Sequence, residues 1–244
     1  MPKFSKKLSV KIVTLFPEFV ENFVESFGIV KRAVKLRLLD LTAVNLRGFG
    51  LGARQTVDDR PYGGGVGMVL RPDVLYRAIN RLKQKNPAAR KAQRIILLSP
   101  QGKPFTQKDA QRLARYSSLV LVCGRYEGFD ERVRSFVDEE LSIGDYVLMG
   151  GELPALVLSE AVMRLRPGVL GKDESADKES FAEGLLEYPQ YTKPEILKAG
   201  KKRLVVPAVL LSGNHQKVAA WRLGESIKRT EKRRPDIFKK TNIL

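Results

Sequence analysis

Hydrophobic and polar positions along the first two thirds of the chain predict short strands. Largely apolar runs of four to seven residues, typical of strands, lie at residues 10–15, 38–44, 95–98 and 119–122. A shorter run at residues 139–141 is acidic and then apolar, and it precedes a turn with several glycines. Runs that are apolar on both faces are typical of strands buried between two layers.

Helical spacing separates most of these strands. Apolar residues recur every three or four positions at residues 17–27, 29–36, 72–85, 107–116 and 153–165. Buried strands that alternate with helices are typical of a parallel sheet with helices on both faces. The pattern therefore predicts an α/β fold for this part of the chain.

Three predicted strands run directly into loops that contain glycine. They end at residues 98, 122 and 141. In open α/β sheets, ligands bind beyond the carboxyl ends of the strands, so the three loops are expected to meet at one edge. The run at 139–154 is then one wall of a ligand site, although its spacing alone indicates only a strand, a turn and the start of a helix.

A long irregular segment is predicted at residues 45–71. It contains four arginines, the carboxylate pair Asp58 and Asp59, and a glycine-rich run at residues 62–67. Loops of this length are usually functional or mobile, and a glycine-rich backbone can bind phosphate through its N–H groups. The glycines match neither a P-loop nor a dinucleotide fingerprint. This loop alone therefore predicts no particular ligand.

The pattern changes after the last of these helices. Residues 170–183 are charged and rich in serine and alanine without periodicity, which predicts a flexible linker. It separates a first domain at residues 1–169 from a second at residues 184–244. In the second domain, residues 205–211 are apolar and residues 215–230 have helical spacing. Residues 215–230 are therefore predicted to form a helix.

Composition narrows the class of protein. The chain has 244 residues, of which 43% are hydrophobic, enough for a substantial core. It has no apolar run of the ~18 residues that a membrane span needs, and residues 1–10 lack the pattern of a signal peptide. Cys123 and His215 are the only residues of their types, so we expect no disulfide and no bound metal. These features predict a cytoplasmic protein with no membrane partner.

The charge predicts a polyanionic partner. The formal net charge is +17, and residues 192–244 carry fourteen Lys or Arg against four Asp or Glu. Such an excess favours nucleic acid through phosphate contacts and counterion release. The alternative is a solubilising surface, which explains a smaller excess more readily than this one.

Eight short motifs together match one protein family. The chain resembles the bacterial tRNA (guanine-37-N1)-methyltransferases, which belong to the SPOUT class. The matching motifs occur in the order of that family and cover nearly the whole chain: LFPE at 15–18, TVDDRPYGGG at 56–65, LSPQG at 98–102, CGRYEG at 123–128, SIGDYVLMGGELP at 142–154, PGVLG at 167–171, GLLEYP at 184–189 and LLSGNH at 210–215.

The resemblance implies features that spacing does not show. The α/β domain would contain a deep trefoil knot, and residues 184–244 would form a small, basic, helical domain that binds tRNA. The enzyme would be a homodimer that uses S-adenosylmethionine as methyl donor. Its cofactor loops would fall on Leu97, Leu98, Pro100, Gly124, Tyr126, Glu127, Ser142, Ile143, Gly144, Asp145, Tyr146, Val147, Leu148, Gly150, Gly151 and Pro154.

Methylation of guanine N1 sets the chemistry that the site must perform. N1 carries a proton at neutral pH, so a base must remove it while a cation stabilises the charge that develops on O6. The resemblance implies that Arg164 is the cation and that Glu179 is the base, where the family has Asp. Asp58 and Arg60 are candidates for substrate binding, and Glu127 is a second candidate for the guanine edge or the cofactor amine.

Two alternatives remain open at this point. One is a SPOUT methyltransferase that acts on another RNA, which the glycine turn fits equally well. The other is a basic RNA-binding protein without catalytic activity, for which only Glu179 in place of Asp argues. The motif at 56–65 and the C-terminal motif favour the tRNA methyltransferase.

Overall fold

The computed structural model describes residues 7–170, 180–181 and 184–238, and it divides the chain into two units, Met1–Asp173 and Glu174–Leu244. The division falls within residues 170–183, the expected linker. Glu179, the expected base, lies outside the described residues.

The first unit alternates strands and helices. In chain order its elements are β1 (Leu8–Thr14), α1 (Pro17–Ser26), α2 (Gly28–Lys35), β2 (Leu39–Asn45), a 3-10 helix (Leu46–Phe49), β3 (Asp58–Asp59), β4 (Val69–Leu70), α3 (Pro72–Leu82), α4 (Pro87–Lys91), β5 (Gln93–Pro104), α5 (Gln107–Leu113), β6 (Ser118–Cys123), a second 3-10 helix (Glu131–Phe136), β7 (Glu139–Ser142) and α6 (Glu152–Met163).

Five strands form one parallel sheet in the order β2-β1-β6-β5-β7. Every residue of the central strand β6 is buried. This arrangement confirms the predicted α/β architecture with a parallel sheet. Because β6, β5 and β7 are neighbours, their carboxyl ends lie side by side at one edge.

Two hydrophobic cores cover the two faces of the sheet. Successive side chains of a strand point to opposite faces, so Leu119 and Leu121 pack in one core with residues of α1, α2, α5 and α6. Val120 and Val122 pack in the other core with residues of α3. The predicted helices on both faces are therefore present.

Some elements differ from the expectation. Strand β5 continues to Pro104 instead of ending at Leu98, because Lys103 and Pro104 pair with β7 after a shift in register. Residues 86–93, between the predicted helix at 72–85 and the predicted strand at 95–98, contain the additional helix α4, which Asn86 caps by accepting hydrogen bonds from the N–H groups of Ala88 and Ala89 at 2.9 and 3.3 Å.

The second unit contains more than helices. Its elements are β8 (Ile196–Ala199), β9 (Lys202–Val205), α7 (Ala208–Leu211), α8 (His215–Arg233) and α9 (Pro235–Phe238). The helix predicted from residue 215 is confirmed, and Asn214 caps it by accepting a hydrogen bond from Lys217 N–H at 3.0 Å. The antiparallel hairpin β8–β9, whose eight residues are all exposed, was not expected in a domain predicted to be helical.

Candidate active site

The three glycine-containing loops meet at the carboxyl edge of the sheet, as the sequence predicts. They enclose a cavity of about 330 Å³, which is within the size range of small-molecule sites. Its walls come from the extension of β5 after Leu98, the loop after β6, and the turn between β7 and α6.

Fourteen of the sixteen expected cofactor residues line this cavity. They are Leu98, Pro100, Gly124, Tyr126, Glu127, Ser142, Ile143, Gly144, Tyr146, Val147, Leu148, Gly150, Gly151 and Pro154. Leu97 instead points into the core beneath the sheet and is fully buried, because it alternates with Leu98 along β5. Asp145 is exposed and lies outside the lining.

Sequence reasoning missed nine residues that also line the cavity. They are Ser99, Gln101, Arg125, Gly128, Phe129, Glu131, Arg134, Leu141 and Met149. Seven of them lie within the motifs at 98–102, 123–128 and 142–154 or directly beside them, so each whole motif with one flanking residue would have included them. Glu131 and Arg134 come from the second 3-10 helix, which no motif indicated.

The second and third loops are joined through their main chains. The N–H of Gly151 donates a hydrogen bond of 2.9 Å to the carbonyl of Gly124. A Cβ at Gly151 would lie 2.7 Å from Cα of Cys123, so only glycine permits this approach. The same region buries Cys123, and burial raises the pKa of its thiol well above the ordinary value. The thiol is therefore protonated and packs as an apolar group.

Arg134 links several side chains by hydrogen bonds on one side of the cavity. It donates to Glu140 from Nε at 2.8 Å and to the side-chain oxygen of Gln101 at 2.8 Å. Ser99 donates to the same carboxylate at 2.5 Å. Burial tends to raise the pKa of Glu140, but the hydrogen bonds from Arg134 and Ser99 outweigh this effect and lower it. The carboxylate is therefore ionised at neutral pH.

The expected substrate residues lie in the long segment after β2. Asp58 is half-buried in β3, and Arg60 is exposed next to it. The glycine-rich run of this segment contacts the second cavity loop, where the N–H of Glu127 donates to the carbonyl of Met68 at 3.0 Å. Tyr126 has a left-handed backbone with φ of 59°, a conformation that costs energy for a non-glycine residue and is frequent at functional sites.

Arg164 does not meet the cavity of its own chain. It is half-buried at the C-terminal end of α6, whereas the glycine turn precedes the first residue of that helix, Glu152. Twelve residues of α-helix separate the two ends by about 18 Å.

The described ranges contain neither a candidate metal site nor a membrane-spanning helix. Over residues 7–170, 180–181 and 184–238, no group of three or more His, Cys, Asp or Glu side chains could hold a metal ion. No helix in the same part of the chain is long and apolar enough to cross a membrane.

Comparison with known proteins gives one consistent result. The family model described as tRNA (Guanine-1)-methyltransferase TrmD matches residues 8–240. A protein of Shewanella halifaxensis named tRNA (guanine-N(1)-)-methyltransferase is 54% identical over 228 residues, which cover 93% of this chain and 89% of the relative. Proteins of the same name from Syntrophotalea carbinolica and Thermus thermophilus are each 50% identical, over 230 and 226 residues. They cover 94% and 93% of this chain, and 89% and 90% of the respective relatives.

Proposed function

This chain belongs to the tRNA (guanine-1)-methyltransferase family, and on that premise we propose that it transfers a methyl group from S-adenosylmethionine to N1 of guanine 37 in tRNA. The observation that carries the proposal is the cavity that three glycine-containing loops form at the ends of β5, β6 and β7. Ligands bind at this edge in open α/β sheets.

The residues around the cavity fit this methyl donor. Apolar side chains such as Leu98, Ile143 and Leu148 can contact a nucleobase, while the glycine at 151 lets the third loop pack directly on the second loop at the cavity. When bound, S-adenosylmethionine supplies a methyl group activated by a sulfonium. The chain's own contribution is to hold the two reactants in line and close together.

Proton removal and charge stabilisation fall to Glu179 and Arg164. Glu179 accepts the N1 proton of guanine, and Arg164 stabilises the negative charge that develops on O6. Asp58 and Arg60 bind the substrate from the neighbouring loop, and Glu127 is the second candidate for the guanine edge. The target base leaves the anticodon stack to reach this site, at a cost of about a few kcal/mol.

A homodimer would bring Arg164 to a donor cavity. Its distance from the turn of its own chain, about 18 Å along α6, indicates that it serves the cavity of a second copy. The exposed faces of α6 and the turn support such an interface, because Leu153 and Val157 are about half exposed and Met149 is 92% exposed. Apolar surface of this kind is typical of protein interfaces.

The remaining assignments follow from the same family. Residues 184–244 bind tRNA, and residues 170–183 link them to the α/β domain of residues 1–169. The α/β domain is assigned a deep trefoil knot on the same ground. A tRNA substrate implies a cytoplasmic enzyme.

One assay tests the activity and its alternatives. The protein is incubated with labelled S-adenosylmethionine and, in separate reactions, with ribosomal RNA and with unmodified tRNA transcripts that carry guanine or adenine at position 37. We expect label only in the guanine transcript. Label only in ribosomal RNA would indicate a different methyltransferase, and RNA binding without transfer would indicate a binding protein.

A further inference from the structure

A buried ion pair lies beneath the glycine turn of the donor cavity. The side chain of Glu152 is 3% exposed, and its Oε2 lies 2.9 Å from Nη2 of Arg125. Thr14, at the end of β1, donates a hydrogen bond of 2.6 Å to Oε1 of the same carboxylate. Glu152 therefore joins the end of β1 to the loop after β6.

Arg125 extends this contact to the turn itself. Its Nη1 donates to the carbonyl of Met149 at 3.3 Å, and its guanidinium carbon lies 4.2 Å from the ring centre of Phe16. The N–H of Phe16 in turn donates to the hydroxyl of Thr14 at 2.9 Å. Arg125 is also part of the cavity wall, whereas Glu152 is not.

The ion pair explains the glycine at position 150. A Cβ at Gly150 would lie 2.5 Å from Oε2 of Glu152 and would also collide with the Arg125 side chain. The two side chains thus fill the space directly beneath the turn. The position of the turn relative to the second loop therefore depends on the side chains of Arg125 and Glu152 remaining beneath it.

Arg125 and Glu152 each supply the counter-charge that the other needs. Over the described residues, neither Nε of Arg125 nor Oε2 of Glu152 has a hydrogen-bond partner. The 2.9 Å contact between Nη2 of Arg125 and Oε2 of Glu152 is therefore an ion pair without good hydrogen-bond alignment. A buried charge is strongly unfavourable without its counter-charge. Without the carboxylate, Arg125 would turn toward solvent and release the carbonyl of Met149.

We propose that Glu152 is a positioning residue for the methyl-donor cavity. Through Arg125 it holds the turn at residues 149–151 against the loop at residues 124–127, in the geometry that binds the donor. The inference rests on the proposed binding of S-adenosylmethionine in this cavity. Glu152 acts without touching the donor, since it lies behind the cavity wall.

Glu152→Gln tests the proposal, because glutamine keeps the shape and can still accept from Thr14 but carries no charge. We expect the Kd for S-adenosylmethionine, measured by calorimetry, to rise about tenfold or more. We expect kcat at saturating donor and KM for tRNA to change less than about threefold, since only binding of the donor depends on the turn. Partial unfolding would instead lower the number of binding sites without changing the Kd of the rest.

Glu160→Gln is the matched control. Glu160 is exposed on the same helix, so this substitution should leave the Kd unchanged. If the parent protein itself does not bind S-adenosylmethionine, the proposed function fails. If the parent binds it and Glu152→Gln binds it equally well, only the positioning role fails.

A double-mutant cycle tests the route through Arg125. In an Arg125→Met background, Glu152→Gln should change the Kd less than about twofold, because its partner is already gone. An equal effect in both backgrounds would overturn the proposal.

Thr14 offers a second route if the Glu152 variant does not fold. Thr14→Val removes the hydroxyl that donates to Glu152 and should raise the Kd several-fold, roughly the effect of one charge-assisted hydrogen bond. Thr14→Ser keeps the hydroxyl and should bind normally. Equal Kd values for the two variants would contradict the positioning role.

Discussion

At the scale of single residues, the ionisable groups around the cavity differ in their ability to accept a proton. Glu140 lies at the cavity but is paired with Arg134 and Ser99, and these hydrogen bonds lower its pKa. A carboxylate held in its ionised form is a weak base. The geometry therefore disfavours Glu140 as the acceptor of the N1 proton, the role that is proposed for Glu179.

Replacing Glu179 by Gln should abolish turnover and leave donor binding intact. Glutamine cannot take the N1 proton, and loss of a general base lowers kcat by about 100-fold or more. Single-turnover methylation of tRNA measures the loss, and calorimetry with S-adenosylmethionine is the control.

Glu179→Asp restores the carboxylate of the family and should retain activity. Full activity in Glu179→Gln would instead show that another group accepts the proton.

At the scale of elements, the carboxylate of Glu139 links strand β7 to strand β5 and helix α5. Glu139 accepts hydrogen bonds from Arg94 of β5 at 3.0 Å and from Arg112 of α5 at 3.0 and 2.7 Å. Burial tends to raise the pKa of Glu139, but the two arginines outweigh it and lower the pKa below its ordinary value of 4.5. Glu139 thereby helps hold the strand that leads into the glycine turn.

Stability should therefore fall in acid in a way that depends on Glu139. Because its folded-state pKa is lowered, its contribution is fully present above about pH 4.5 and is lost as the pH falls through the folded-state value. We expect Glu139→Gln to reduce the free energy of unfolding at pH 7 by about 1–3 kcal/mol. The gap between parent and variant should narrow below pH 4.5.

Urea denaturation at several pH values measures this difference. Glu21→Gln, an exposed position on α1, is the control and should follow the parent at every pH. A gap that stays constant down to pH 3 would contradict the assigned role of Glu139.

The same scale shows what hydrophobic spacing can and cannot predict. The strands and helices of the sheet were predictable because their residues alternate between two cores. The extension of β5 beyond Leu98 was not, since exposed residues such as Lys103 pair there through their main chains. Nor could spacing predict that Arg134 reaches the cavity, which depends on how the second 3-10 helix packs. The cavity loops followed from motifs, whereas the pairing of Arg125 with Glu152 required coordinates.

At the scale of the whole molecule, the net charge of +17 includes a cationic hairpin in the second unit. Lys198 of β8 and Arg203 of β9 lie directly opposite each other and are exposed. Like charges opposed across two strands are destabilising, and a phosphate between them would remove the repulsion.

Removing both charges should weaken tRNA binding in a salt-dependent way. We expect Lys198→Gln combined with Arg203→Gln to reduce the slope of log K against log salt by about 1 to 2. Binding of S-adenosylmethionine should not change. Filter binding at several salt concentrations measures the slope.

Lys31→Gln combined with Lys35→Gln on α2 removes the same charge from the first unit and is the control. An equal loss of slope in both double variants would mean that net charge, and not the hairpin, sets the affinity.

Subunit mixing tests whether the active site needs two chains. Arg164→Gln keeps the donor cavity. Gly151→Val keeps Arg164 but places a Cβ 2.7 Å from Cα of Cys123, which forces the turn away from the second loop and disrupts the cavity. Each variant alone should be inactive. If Arg164 serves the cavity of the partner, a mixed dimer has one complete site, so a statistical mixture should recover about one quarter of the parental activity.

Differently tagged chains show by pull-down that mixed dimers form. Mixed dimers without activity would place Arg164 and the cavity it serves in one chain, and about 18 Å of helix would then have to be bridged by the tRNA itself.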